Sequence, residues 1–138
     1  MQSPVFCTRG AKRYDNRPMA KITGFGGAFL RANDPKALYA WYEEHFGLSS
    51  AHGGFNFEAS EQTGPIVVSF FKRTDSYFPT SQPTMLNFQV DDVNGLLDKL
   101  AAAGVSVDPK RESHEYGHFG WFTDPEGNRV ELWQPPTR

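Results

Sequence analysis

Glu131 is the residue whose chemistry most needs explaining. It lies in TDPEGNRVELW, residues 123–133, where Asp124, Pro125 and Gly127 have a local purpose. Asp accepts backbone hydrogen bonds at the start of a turn, Pro pre-sets φ and Gly supplies a positive φ. The run that follows alternates with period two, so Arg129, Glu131 and Trp133 share one strand face while Val130 and Leu132 share the other. A carboxylate held between a guanidinium and an indole can accept hydrogen bonds, act as a general base or attract a cation. The other chemistry-bearing side chains are four histidines and Cys7. His45 ends a helical stretch, where a cation suits the helix dipole. His52 precedes Gly53-Gly54 in a connection and reads as exposed. His114 and His118 flank EYG. His118 is expected to hydrogen-bond at a strand edge or cavity, with an acid or base role open given an ordinary pKa near 6.5.

The elements that position these residues form an internal repeat. ITGFGGAFLRAND reads as a strand running into Asp34-Pro35, a cap followed by proline at the first helical position. PKALYAWYEEHF places Leu38, Trp41, Tyr42 and Phe46 on one stripe, and Gly47 stops it. TMLNFQVDD repeats the plan, with Asp91 and Asp92 as cap candidates. VNGLLDKLAAAG then places Val93, Leu96, Leu97 and Leu100 on one stripe and stops at Gly104. GFNFEA and PIVVSFFK follow the first helix; VSVD, HFGWFTD and RVELWQP follow the second. The fold class is therefore α+β, with two tandem βαβββ modules at about 21–74 and 84–136 forming a curved mixed sheet, a bowl, with the helices outside.

Composition narrows the partners. The 14 Lys+Arg against 16 Asp+Glu give a formal charge of -2, which supports neither nucleic acid nor an anionic membrane surface as partner. No apolar run approaches the ~18 residues of a membrane helix. The single cysteine fits a reducing, cytoplasmic location. Residues 1–20 read as an extended polar extension, with Met19-Ala20-Lys21 resembling a natural start, and 21–138 as one domain.

The paired modules, the opening FLRANDPKALYAWYEEHFGL and the closing YGHFGWFTDPEGNRVELWQPP resemble the vicinal oxygen chelate superfamily, the group of glyoxalase I, bleomycin resistance proteins and extradiol dioxygenases. The resemblance covers roughly residues 22–136. In metal-dependent members His, Glu or Gln ligands come from the first and last strands of each module. The matching positions here are Gly27, Met85, Ser69 and Glu131. A two-residue slip offers Phe25 or Phe29, Val67 or Phe71, Asn87, and Arg129 or Trp133. Catalytic zinc needs about three protein ligands and non-haem iron two His and a carboxylate, so no metal site and no cofactor are expected.

The bowl is expected to bind a small organic molecule instead. Its lining is assigned to Phe29, Arg31, Ser69, Met85, Asn87, Gln89, Glu131 and Trp133, with Trp121 added from a strand whose inward face is open between Phe119 and Trp121 or Phe122. Aromatic side chains there suit a flat or hydrophobic ligand, although packing is the commoner use of strand aromatics. Glu131 is first read as the remnant of a metal site kept as an acceptor for Arg129, Ser69 or water. The alternatives are a general base in a metal-free pocket and a partner for a ligand cation. Residues 70–85 connect the modules, and Tyr77, Phe78 and Pro79 are placed as a lid over the bowl or a plain linker. The leading function is binding of an antibiotic or other xenobiotic, as the bleomycin resistance proteins do, by a homodimer whose modules pair within or between chains. The alternatives are an enzyme of glyoxalase or lyase type, with Glu131 as its candidate catalytic residue, and a subunit with a filled bowl that serves protein association.

Overall fold

The computed structural model describes residues 20–22 and 24–137, so the expected extension, with Cys7, lies outside them apart from Ala20. Among the described residues the elements are helix α1 (Pro35–Phe46), a single 3-10 turn (Ala59–Glu61), β1 (Asn87–Gln89), helix α2 (Val93–Ala102), β2 (Ser106–Val107), β3 (Glu112–His114), β4 (Gly117–Thr123) and β5 (Arg129–Gln134). The architecture is α+β, as the repeat implied, with two helices on a mixed five-stranded sheet. No helix among the described residues is long and apolar enough to cross a membrane.

Local chemistry sets both helices. The Asp34 carboxylate accepts from the Ala37 amide at 3.1 Å with Pro35 at the first helical position, and Gly47 ends α1 in the left-handed region at φ 67. Asp92 caps α2 by accepting from the Gly95 amide at 3.0 Å. The sheet runs β1-β5-β4-β2, with β3 also pairing β4. β1 lies parallel to β5, with Asn87, Phe88 and Gln89 opposite Glu131, Leu132 and Trp133. β4 lies antiparallel to β5, which sets Trp121 opposite Glu131 and Phe122 opposite Val130.

That register sorts the two faces. Val93, Leu97 and Leu100 of α2 and Tyr42 of α1 pack with Phe122, Val130 and Leu132 into the core. Helix α2 reaches the sheet closely because Gly120 has no side chain: a Cβ there would run into the Leu97 side chain. At the β4–β5 turn the Asp124 carboxylate accepts from the Glu126 and Asn128 amides at 2.9 and 3.0 Å, and Gly127 takes φ 85, as the sequence pattern requires. Asp124 also accepts from the buried Tyr42 hydroxyl at 2.9 Å, joining α1 to that turn. Burial first, and the Asp124 charge second, push the Tyr42 phenol well above its ordinary pKa. Glu126 extends the junction by accepting from the Asn33 and Asp34 amides, each at 3.0 Å.

The first half differs from the expected plan. All five strands of the described residues come from the second half, and segments 24–31 and 66–71 make no backbone ladder. Their apolar side chains face solvent, with Phe29 and Phe70 at 103% and 97% exposure and Val67 and Val68 also exposed. A strand is stable only beside a neighbour, and these segments find none on the chain's own sheet.

Candidate functional site

The face of the sheet away from the helices carries Asn87 and Gln89 from β1, Phe119, Trp121 and Thr123 from β4, and Arg129, Glu131 and Trp133 from β5. The open question over β4 is thereby answered: Trp121 and Phe119 share the Glu131 face, and Phe122 belongs to the core. His118 alternates onto the helix side and bonds Ser113 Oγ through Nδ1 at 2.8 Å, so its role is at the strand edge rather than in the bowl.

Glu131 lies at the centre of this face and is only 7% exposed. Its Oε2 accepts from the Trp121 indole N–H at 3.0 Å and from the Tyr77 hydroxyl, and its Oε1 accepts from the Asn87 amide at 2.6 Å. The expected acceptor role is therefore filled, but by different donors. Arg129, expected as the partner, instead pairs with Asp108 at 3.0 Å and sets its guanidinium 5.3 Å from the centre of the Trp121 ring. The Lys110 amide, more than Arg129, holds the Asp108 carboxyl below its ordinary pKa. Three uncharged donors thus surround the buried Glu131 side chain and satisfy both of its oxygens.

Tyr77 is the member of this cluster that strand reasoning did not assign to the site, although it was singled out as a lid residue. Its ring stacks on Phe71 at 5.4 Å between centroids and meets Trp121 edge-on at 6.0 Å. Burial, then the hydrogen bond to Glu131, raise the Tyr77 phenol above its ordinary pKa and keep it a neutral donor. Gln82 anchors the same connection by accepting from the Arg129 amide and donating to the Arg129 carbonyl, both at 2.8 Å.

The other assigned residues divide by position. Gln89 accepts from the Thr63 and Gly64 amides at 3.0 Å and donates to the Gly64 carbonyl at 3.1 Å, so it holds the approach to the 66–71 segment. Trp133 stacks on Phe119 at 6.2 Å between centroids and donates to the Tyr116 carbonyl at 2.8 Å. Gly64 sits against its ring so closely that a Cβ would meet the indole at 2.8 Å. Met85 is half-buried beside β1. Phe29, Arg31 and Ser69 are exposed and take no part in the Glu131 network. Among the described residues no three of His, Cys, Asp and Glu approach closely enough to hold a metal ion. A separate hollow of about 540 Å³ opens on the helix side, floored by Phe88, Val90 and Leu96 and rimmed by Glu44, Asp91 and Lys99.

Comparison with known proteins bears on this arrangement. No curated protein matches the chain. Among solved structures, the chain is similar to TnmS3, an antibiotic binding protein from Streptomyces sp. CB03234, at 23% identity and a TM-score of 0.51, over 87% of this chain and 99% of that one. It is also similar to the oxidase ChaP-H2, at 19% identity and a TM-score of 0.45, over 76% of this chain and 87% of that one. The family model for the Glyoxalase/Bleomycin resistance protein/Dioxygenase superfamily matches residues 24–132, the span that carries both helices and the sheet face around Glu131, and the chain belongs to that superfamily.

Proposed function

We propose that the chain is a small-molecule binding protein, taking a flat aromatic or hydrophobic compound of the antibiotic or xenobiotic kind against the Glu131 face. The supporting observation is the face itself: one buried carboxylate, fixed by neutral donors, inside a wall of Trp121, Phe119, Phe71 and Trp133. Such a mixture of aromatic area and a few oriented polar groups is what organic ligands require. The antibiotic-binding neighbour is consistent with it.

The reading dispenses with the divalent metal usual in the superfamily. At the four matching positions stand Gly27, Met85, Ser69 and Glu131, and Glu131 already spends both oxygens on Asn87, Trp121 and Tyr77. A catalytic metal needs about three protein ligands and an open position, which this donor set does not supply. With Tyr77 in place the same saturation leaves Glu131 no lone pair directed at a substrate, as a general base would need.

A homodimer completes the bowl in this reading, and the two modules together form one domain in the cytoplasm. The exposed segments 24–31 and 66–71 carry several apolar side chains and no ladder partners, and a second copy of the same chain would offer the matching surface. Glu131 of one copy would then face Phe29, Arg31 and Ser69 of the pair.

The test is native mass spectrometry of the purified full chain with a panel of aromatic antibiotics, paired with thermal unfolding. Retention of a compound with a stabilisation that grows as RT ln(1 + [L]/Kd), and no product, supports binding. Stoichiometric divalent metal in the purified protein, or conversion of the compound, would overturn it.

A further inference from the structure

Tyr77 occupies the Glu131 site as a ligand would. Its ring lies between Phe71, inclined at 22°, and the edge of Trp121, at 85°, and its hydroxyl ends on Glu131 Oε2. Two of the three walls are built differently from the occupant, whereas Phe71 belongs to the 66–71 segment that makes no ladder. Trp121 and Glu131 are fixed in the sheet by the β4–β5 ladder. Tyr77 sits in a connection with neither helix nor strand, and its own amide bonds only the neighbouring Asp75 carboxylate, at 2.8 Å. The nearest ties of this connection to the sheet are those of the Gln82 amide. Residues 72–76 before the ring and 79–81 after it are exposed. The ring is thus held by its contacts in the slot rather than by its backbone.

We propose that the slot between Phe71, Trp121 and Glu131 is a phenol-binding subsite, held closed by the chain's own Tyr77 and opened when a planar aromatic hydroxyl of a ligand takes its place. This rests on the small-molecule reading above and adds the chemical class that the site selects. Geometry admits a flat ring, because one wall is a ring face and the other a ring edge. Chemistry favours a donor, because Tyr77 and Trp121 share Glu131 Oε2, and once Tyr77 departs only the Trp121 indole remains on that oxygen. Losing one of the two hydrogen bonds to this buried oxygen is disfavoured, so a hydrocarbon of the same shape replaces Tyr77 poorly. The ligand hydroxyl must also keep its proton, since a phenolate has no hydrogen to donate to Glu131 Oε2. The raised pKa of the Tyr77 phenol is consistent with that selection.

The experiment removes the occupant and offers its chemistry back. Full-length Tyr77→Gly is titrated with 4-methylphenol and, separately, with toluene, read by thermal unfolding and by the fluorescence and indole N–H resonance of Trp121. The expected result is that 4-methylphenol binds the variant at least tenfold more tightly than toluene does, and at least tenfold more tightly than it binds the parent protein. Equal binding of the two probes, or equal binding of 4-methylphenol to variant and parent, would overturn the proposal. Tyr77→Phe keeps the ring and serves if the glycine variant does not fold. There 4-methylphenol should bind at least several-fold better than to the parent, and unchanged binding would count against the subsite. An antibiotic that binds parent and Tyr77→Gly alike while 4-methylphenol binds neither sinks the subsite and leaves the binding function standing. Tight 4-methylphenol binding to Tyr77→Gly, with no larger aromatic compound retained by the parent, supports the subsite and sinks the antibiotic reading.

Discussion

Asn87 and Glu131 are direct partners in the parallel β1–β5 pairing, and the Asn87 amide donates to Glu131 Oε1 at 2.6 Å. The bond joins the start of the second module to its end, so one contact ties the register of the sheet to the orientation of the carboxylate. A shift of one residue in β1 would put Phe88 in that place and leave a buried oxygen unpaired.

Asn87→Ala should therefore destabilise the chain by about 1–3 kcal/mol, the loss expected when a buried carboxylate keeps its burial and loses a donor. A double-mutant cycle with Glu131→Ala, read by urea unfolding, should return a coupling of about 0.5–3 kcal/mol. Additive effects of the two substitutions would mean that the contact contributes nothing of its own.

Tyr42 and Tyr77 govern the alkaline side. Both phenols are raised from an ordinary value of 10.0, so near that pH the unfolded chain loses protons that the folded chain keeps. Their contribution is complete below pH ~10 and falls as pH rises beyond it. Tyr42→Phe should lower stability by about 1–2 kcal/mol at pH 7, through the lost bond to Asp124, and make the decline above pH 10 shallower. Urea midpoints measured from pH 8 to 11 check both points, and parallel curves for parent and variant would refute the titration argument.

Glu126 governs part of the acid side. The Asn33 amide first, and the Asp34 amide next, hold its carboxyl below the ordinary 4.5. A lowered folded-state pKa means that the stabilisation is present above that value and lost as pH falls through the folded one. Glu126→Ala should be less stable than the parent at pH 7, with the gap closing between pH 5 and 3. A gap that stays constant over that range would assign the effect to packing instead.

Much of this was legible in the sequence because the signals are local. Asp34-Pro35 and Gly47 bound α1, Asp92 caps α2, and Asp124 with Gly127 makes the β4–β5 turn, each through bonds reaching a few residues. Period two alone separated Glu131 from Val130 and Leu132. What it could not give was the donor set. Tyr77 lies 54 residues from Glu131 in a stretch without period, and only the folded chain brings its hydroxyl there. The Gln82 and Gln89 amides are similar: each substitutes for missing ladder bonds, and a lone glutamine carries no pattern. The first-half strands were read from the internal repeat and from short β-like runs, neither of which names the neighbour. Phe29, Arg31 and Ser69 were assigned to the bowl on strand parity, and on the single chain they face solvent.

That last difference can be tested directly. If a second copy covers segments 24–31 and 66–71, each large apolar side chain buried there contributes about 1.5–3 kcal/mol to association. A carboxylate at such a position both removes that contribution and resists desolvation. Phe70→Asp, at a side chain 97% exposed on the single chain, should therefore leave helix content and the α2 core intact while weakening the dimer at least ~100-fold. Light scattering across a micromolar dilution series reads this as a parent at twice the chain mass and a variant at the chain mass of 15.5 kDa. Two species of equal mass at every concentration would remove the second copy from the bowl and leave these segments without the role assigned to them.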